Sequence, residues 1–235
     1  MAAAVPSTSS HLLEDMDHSQ LMDKRIGYYT GSFDPFHLGH KRFMDQIIEK
    51  GLLDYIIIYP VPGGDKYKNR SDFNLRKEMI SLACKTSAYL ILTNLTPAQM
   101  QKQLTPLFES CKFTGLIGSD VVVDHLSDQD IVHKQKVSQV FMRGLKIPEK
   151  HQETTIGAIM ALPATTFIVS LRSGTDLSHL QEKFEDRSIQ TIQLEMPFSH
   201  FSSTKVRQAI QAKESISEMV DPSVEKLIRE HELYR

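Results

Sequence analysis

His37 and His40 stand three residues apart in the run Gly31-Ser32-Phe33-Asp34-Pro35-Phe36-His37-Leu38-Gly39-His40. On the first turn of a helix, that spacing brings both imidazoles to one side. Gly39 leaves room between them, and Gly31 permits a tight turn with close backbone approach to a ligand. The start of a helix presents unbonded N–H groups and the positive end of its dipole, an environment that suits phosphate. A second constellation lies far along the chain, in Phe201-Ser202-Ser203-Thr204-Lys205-Val206-Arg207. Ser202, Ser203 and Thr204 are N-cap types, so a helix starts there. Their hydroxyls and the free N–H groups can hold phosphate oxygens, with Arg207 one turn on and able to reach them.

Both constellations need a frame, and the chain supplies one as alternating strands and helices. Strands are predicted at 26–30, 55–59, 89–92, 113–117, 137–142, 166–171 and 189–194. The run Tyr55-Ile56-Ile57-Ile58-Tyr59 is continuously apolar, as in a strand buried on both faces. Helices are predicted between the strands. Phe43, Ile47 and Ile48 form one apolar stripe over 41–50, and Leu75, Met79, Ile80 and Ala83 form another. Pro97 suits the start of a helix over 98–108, and Pro106 should break or kink its end. This alternation implies a parallel sheet with right-handed crossovers. Ligands bind at the carboxyl ends of such strands, where residues 31–40 fall. Lys66, Lys68, Arg70 and Arg76 cluster after the second strand. Gly118-Ser119-Asp120 follows the fourth, and Arg172-Ser173-Gly174 ends the strand at 166–171. The stretch 143–165 carries turn signals at Gly144 and Pro148, then a short helix over 155–162 closed by Pro163.

At 235 residues, 40% hydrophobic and 24% charged, the chain has the size and composition of one sizeable α/β domain. A net charge of −2 argues against bulk electrostatic binding of nucleic acid. No run has the length of a membrane span or the look of a signal sequence, so no membrane partner and a cytoplasmic location are expected. Residues 1–24 are acidic and read as a flexible or loosely docked extension with a short helix around 11–22; residues 25–235 form the domain. Cys84 and Cys111 show no metal spacing and are expected as free thiols. The G-x-S-x-G elbow, the Walker A loop and the G-x-G-x-x-G fingerprint are all absent.

The motifs and their order resemble the nucleotidylyltransferase superfamily. His37-Leu38-Gly39-His40, behind Gly31-Ser32-Phe33-Asp34-Pro35, matches its HxGH signature. Residues 201–207 resemble its ISSTxxR motif, with Phe201 in place of the usual isoleucine. Ile117-Gly118-Ser119-Asp120 is similar to its I-G-x-D segment. Arg172-Ser173-Gly174 and the ending at 224–234 resemble the nicotinate/nicotinamide-nucleotide adenylyltransferase branch, and the resemblance spans roughly residues 25–235.

The resemblance implies an α/β fold: a Rossmann-like, doubly wound, mainly parallel sheet with a C-terminal helical segment. It implies transfer of AMP from ATP to nicotinate or nicotinamide mononucleotide with release of pyrophosphate, in NAD biosynthesis, with Mg²⁺ accompanying ATP. His37, His40 and Arg207 are then the expected catalytic residues. Gly31, Ser32, Phe33, Asp120, Ser202, Ser203 and Thr204 join those three in binding ATP, and Lys68, Arg76 and Arg172 are expected at the acceptor. The family usually places a tryptophan after G-x-D, near the pyridine ring. This chain has none, so another aromatic would have to stack there. The alternatives are a phosphopantetheine-like acceptor, use of CTP, or a catalytically silent nucleotide-binding module. Oligomeric state is not legible in the sequence.

Overall fold

The apolar runs become the inner strands of a parallel sheet. The computed structural model describes residues 12–62, 70–119, 166–171, 190–195 and 201–235. Its strands are β1 (Arg25–Gly31), β2 (Tyr55–Pro60), β3 (Leu90–Leu92), β4 (Lys112–Gly118), β5 (Thr166–Leu171) and β6 (Gln190–Glu195). They lie in the order β3-β2-β1-β4-β5-β6, every neighbouring pair parallel. β1 is central, with Tyr28 opposite Ile57 on one side and Gly115 on the other. This is the doubly wound Rossmann-like order, whose direction of winding reverses between β1 and β4. The strand expected at 137–142 and the stretch 143–165 lie outside the described residues.

Side chains of β1 alternate between two cores, as the period of a strand requires. Ile26 and Tyr28 join Ile57, Tyr59, Met100, Leu104 and Phe113 on one face. Tyr29 joins Phe43, Ile47, Ile56, Ile58, Met79 and Ile80 on the other. Gly115 is required by close packing, because a Cβ there would lie 2.2 Å from the Phe167 ring.

The helices are α1 (Leu38–Glu49), α2 (Phe73–Ala83), α3 (Pro97–Gln103), α4 (Thr105–Ser110), α5 (Ser203–Gln211) and α6 (Pro222–Glu230). The single helix expected over 98–108 is two. Pro106 has no N–H and its ring would clash within a continuous helix, so it occupies the first turn of α4 instead. α5 and α6 form the expected C-terminal helical segment, with Val224, Leu227 and Ile228 of α6 buried in the same core as Met79 and Ile80 of α2.

Residues 12–24 of the extension dock against the sheet. Two 3₁₀ turns, Leu13–Asp15 and His18–Leu21, replace the expected helix. Leu13 and Leu21 are fully buried, a contribution of about 1.5–3 kcal/mol each. Leu12 bridges Leu92 in parallel, while Glu14 accepts from Thr93 Oγ1 at 3.0 Å and Asn94 N at 2.8 Å. The strap thereby covers the β3 edge, where unpaired backbone groups would otherwise face solvent. Among the described residues, no helix is long and apolar enough to cross a membrane.

Candidate active site

The chain leaves β1 at its carboxyl end and enters α1 within seven residues, 31–37. Phe33 takes a left-handed φ of 50°, a conformation that persists only where neighbours over-determine it. Its buried ring meets Tyr29 edge-on at 5.2 Å and His40 at 5.1 Å. Phe33 therefore offers a ligand only its backbone; its side chain belongs to the core.

His37 is the extended N-cap of α1. Its N–H donates to Nδ1 of His40 at 3.2 Å, and the His40 N–H donates back to the His37 carbonyl at 3.0 Å. The two rings stack with centroids 3.6 Å apart. Tyr29, Phe33 and Phe36 surround His40, which fixes the imidazole plane. A Cβ on Gly39 would sit 2.9 Å from His37 Nδ1 and 3.3 Å from Phe201 Cβ, so this glycine is what admits the histidine ring.

α5 arrives from β6 and closes on the same loop. Ser202 caps it, accepting from Lys205 N at 3.1 Å. Ser203 Oγ donates to the Pro35 carbonyl at 2.9 Å. Arg207 donates to the Asp34 carbonyl at 2.5 Å and to Thr204 Oγ1 at 3.3 Å. The two motifs, far apart in sequence, thus meet at Asp34-Pro35. Thr204 is exposed, whereas Ser203 and Arg207 are half-buried.

A third segment joins them. Arg70 Nε donates to Ser32 Oγ at 2.9 Å, and Ser71 donates both N–H and hydroxyl to the Asp34 carboxylate. Arg76 was expected at the acceptor, but it is fully buried. Its guanidinium donates to the carbonyls of Ser71, Ser32, Val61 and Pro62 at 2.7–3.0 Å. Burial pulls this group below its ordinary pKa, partly offset by Asp34, although arginine remains charged. Arg76 thus organises the backbone around the loop and has no exposed face for a substrate. Lys68, Asp120 and Arg172 lie outside the described residues.

The sequence reading missed two participants. Asp34 accepts from Ser71 and from the Tyr234 phenol, the latter at 2.5 Å. Asp34 is visible in the Gly31–His40 run, and Tyr234 in the ending that resembled the family, but nothing in the spacing says that they touch.

A cavity of about 700 Å³ lies at the other end of the strands, lined by Lys24, Arg25, Lys41, Asp45, Asp54 and Tyr89 among others. Its Arg25 pairs with Asp54 at 2.7 Å and its Lys41 with Asp45 at 2.8 Å. The Arg25 hydrogen bonds hold the Asp54 carboxyl below its usual range. Among the described residues, no group of three or more His, Cys, Asp or Glu side chains has the arrangement of a metal site.

Comparison with known proteins follows the same lines. A family model described as cytidylyltransferase-like matches residues 28–209. A Dehalococcoides mccartyi protein named "probable nicotinate-nucleotide adenylyltransferase" is 24% identical over 222 residues, covering 91% of this chain and 98% of the relative. A Neisseria meningitidis protein of the same name is 25% identical over 229 residues, covering 90% and 98%. Plasmodium falciparum nicotinic acid mononucleotide adenylyltransferase, solved in complex with NaAD, superposes with a TM-score of 0.61. It shares 18% identity over 90% of this chain and 97% of its own, a likeness of fold.

Proposed function

The chain belongs to the cytidylyltransferase-like family of nucleotidylyltransferases, and from that premise we propose that it joins the AMP moiety of ATP to nicotinate or nicotinamide mononucleotide, releasing pyrophosphate. The observation that carries the proposal is the stacked His37–His40 pair at the mouth of α1, with Ser203 and Arg207 of α5 tied to the same loop. The site lies beside the β1/β4 reversal of the sheet, where such folds bind ligands. The names of the matched proteins support nicotinate mononucleotide as the favoured acceptor. Its carboxylate also gives N–H groups and basic side chains a charged partner. Such a reaction belongs to NAD biosynthesis, and a cytoplasmic location goes with it.

In this reading an acceptor phosphate oxygen attacks the α-phosphorus of ATP in line. The bond to the bridging oxygen breaks, and pyrophosphate leaves with that electron pair. No protein nucleophile takes part, so the side chains act by position and charge. His40 accepts the His37 N–H at Nδ1, so in the neutral ring Nε2 carries the hydrogen. Nε2 is then a fixed donor to a phosphate oxygen, with His37 beside it.

Arg207 has five N–H donors, and its bonds to Asp34 and Thr204 leave others for the leaving pyrophosphate. The first N–H groups of α5, at Ser203 and Thr204, have no partner within the helix and suit triphosphate oxygens. The capping Ser202, the backbone of Gly31, Ser32 and Phe33, and Asp120 complete the ATP side. Lys68 and Arg172 are assigned to the acceptor. The donors at the site are imidazole, hydroxyl and guanidinium, which suit phosphate rather than a cation. Mg²⁺ therefore enters on the triphosphate of ATP, where it neutralises charge.

Pyrophosphate release from ATP against a panel of phosphorylated acceptors tests the proposal. Turnover with nicotinate or nicotinamide mononucleotide supports it. Turnover with phosphopantetheine alone, or with CTP in place of ATP, keeps the family and overturns the branch. Nucleotide binding with no pyrophosphate from any acceptor overturns the enzymatic reading in favour of a silent binding module.

A further inference from the structure

Tyr234 lies beyond α6, far in sequence from the loop it touches. Its phenol donates to Asp34 Oδ1 at 2.5 Å and lies 3.2 Å from Ser71 Oγ. The chain reaches this position through two left-handed residues, Glu232 at φ 50° and Tyr234 itself at φ 66°. Non-glycine residues are held there only where other contacts over-determine them. The ring packs against the core formed with α2 and α6, and burial together with Asp34 raises the phenol pKa well above its ordinary value. At neutral pH the hydroxyl is protonated and donates to the Asp34 carboxylate.

Its acceptor occupies a central place. Asp34 collects Tyr234 and Ser71 on its carboxylate, and its own carbonyl receives Arg207. Pro35, the next residue, receives Ser203, and His37 is two residues further on. We propose that Tyr234 is a positioning residue for nucleotidyl transfer: its bond to Asp34 fixes the loop between β1 and α1, and thereby Arg207 and the His37–His40 pair. The proposal rests on the functional reading above. Its physical content is that displacing reacting groups by about 1 Å is enough to lose up to 10²-fold in rate. One hydroxyl, remote from the chemistry, then affects turnover more than stability.

Tyr234→Phe removes the donor and keeps the ring in the core. The expected result is a kcat lowered by about 5- to 50-fold with KM for ATP within about threefold of wild type, the pattern of an interaction that matters in the transition state. In a cycle with Asp34→Ala, adding Tyr234→Phe costs about twofold or less, because the acceptor of its hydrogen bond is already gone. A kcat within about twofold of wild type, multiplicative losses in the cycle, or recovery of full activity in the cold where the variant is folded each overturns the proposal.

A second measurement needs neither turnover nor the double variant. The His37 amide and the His40 ring nitrogens are recorded by NMR in the ligand-free wild type and in Tyr234→Phe. A shifted His37 amide and a changed balance between Nδ1 and Nε2 signals support the proposal, and superimposable spectra overturn it. If wild type turns over no acceptor, the functional reading fails, and these spectra alone decide whether Tyr234 positions the loop.

Discussion

The backbone N–H of His37 donates to Nδ1 of His40 while the His40 N–H returns to the His37 carbonyl. This reciprocal pair links helix capping to the chemistry at the mouth of α1. The bond that starts α1 also sets the tautomer of His40 and leaves Nε2–H as the outward donor. His40→Ala should lower kcat by about 10²–10³, the loss typical of one transition-state donor. Steady-state kinetics check this, and a variant with wild-type turnover would remove His40 from the site.

Gly39→Ala separates activity from stability. Alanine is the better helix former and its Cβ crowds His37 and Phe201, two opposing effects that should leave the melting temperature little changed. The new Cβ meets His37 Nδ1 at 2.9 Å and must displace that ring, lowering kcat by about tenfold or more. Thermal melts beside kinetics give both readouts. Full activity would mean that His37 need not stand where it does.

Arg207→Lys keeps the charge and loses the planar fork. Lysine cannot reproduce the paired bonds to Asp34 and Thr204 while also facing a phosphate. A fall in kcat/KM of about 10² is expected. Near-wild-type kinetics would show that a point charge suffices there.

Arg76→Met should act on folding. It strips the donor from four carbonyls, a loss of about 3 kcal/mol or more. At this chain length that lowers the melting temperature by roughly 6 °C or more. Lys68→Ala, in contrast, should raise KM for a substrate with little change in melting temperature. An unchanged melting temperature with a raised KM in Arg76→Met would return Arg76 to the acceptor.

Alkaline pH should weaken the fold through Cys84. Burial pushes its thiol from 9.0 up to about 12. Above about pH 9 the unfolded chain loses this proton while the folded chain keeps it, so stability falls as pH rises. The slope is at most about 1.4 kcal/mol per pH unit for one group. Urea unfolding at about pH 8 and pH 10 should show the loss, and Cys84→Ala should flatten it. Equal slopes in both proteins would assign the effect elsewhere, for instance to Tyr89, whose phenol burial also raises.

Much of this was legible in the sequence because it is written in local terms. A short, β-branched apolar run such as 55–59 suits a strand buried on both faces, and the described strands fall close to where the alternation put them. The His37–His40 spacing and the capping serines of 202–204 are also local, since a helix start is decided by its own first residues. What only the tertiary structure decided is which of these groups face a ligand and which face the protein. Arg76 and Arg70 look alike in sequence, yet Arg76 lies fully buried among carbonyls and Arg70 donates to the Ser32 hydroxyl. Leu13 and Leu21 sit in a polar segment and become core only because that segment folds onto the cluster of Ile26, Ile57, Ile91 and Phe113. Asp34 meets Tyr234 across 200 residues, a contact with no local signature, because hydrogen bonds between distant segments follow from packing that composition and spacing do not encode.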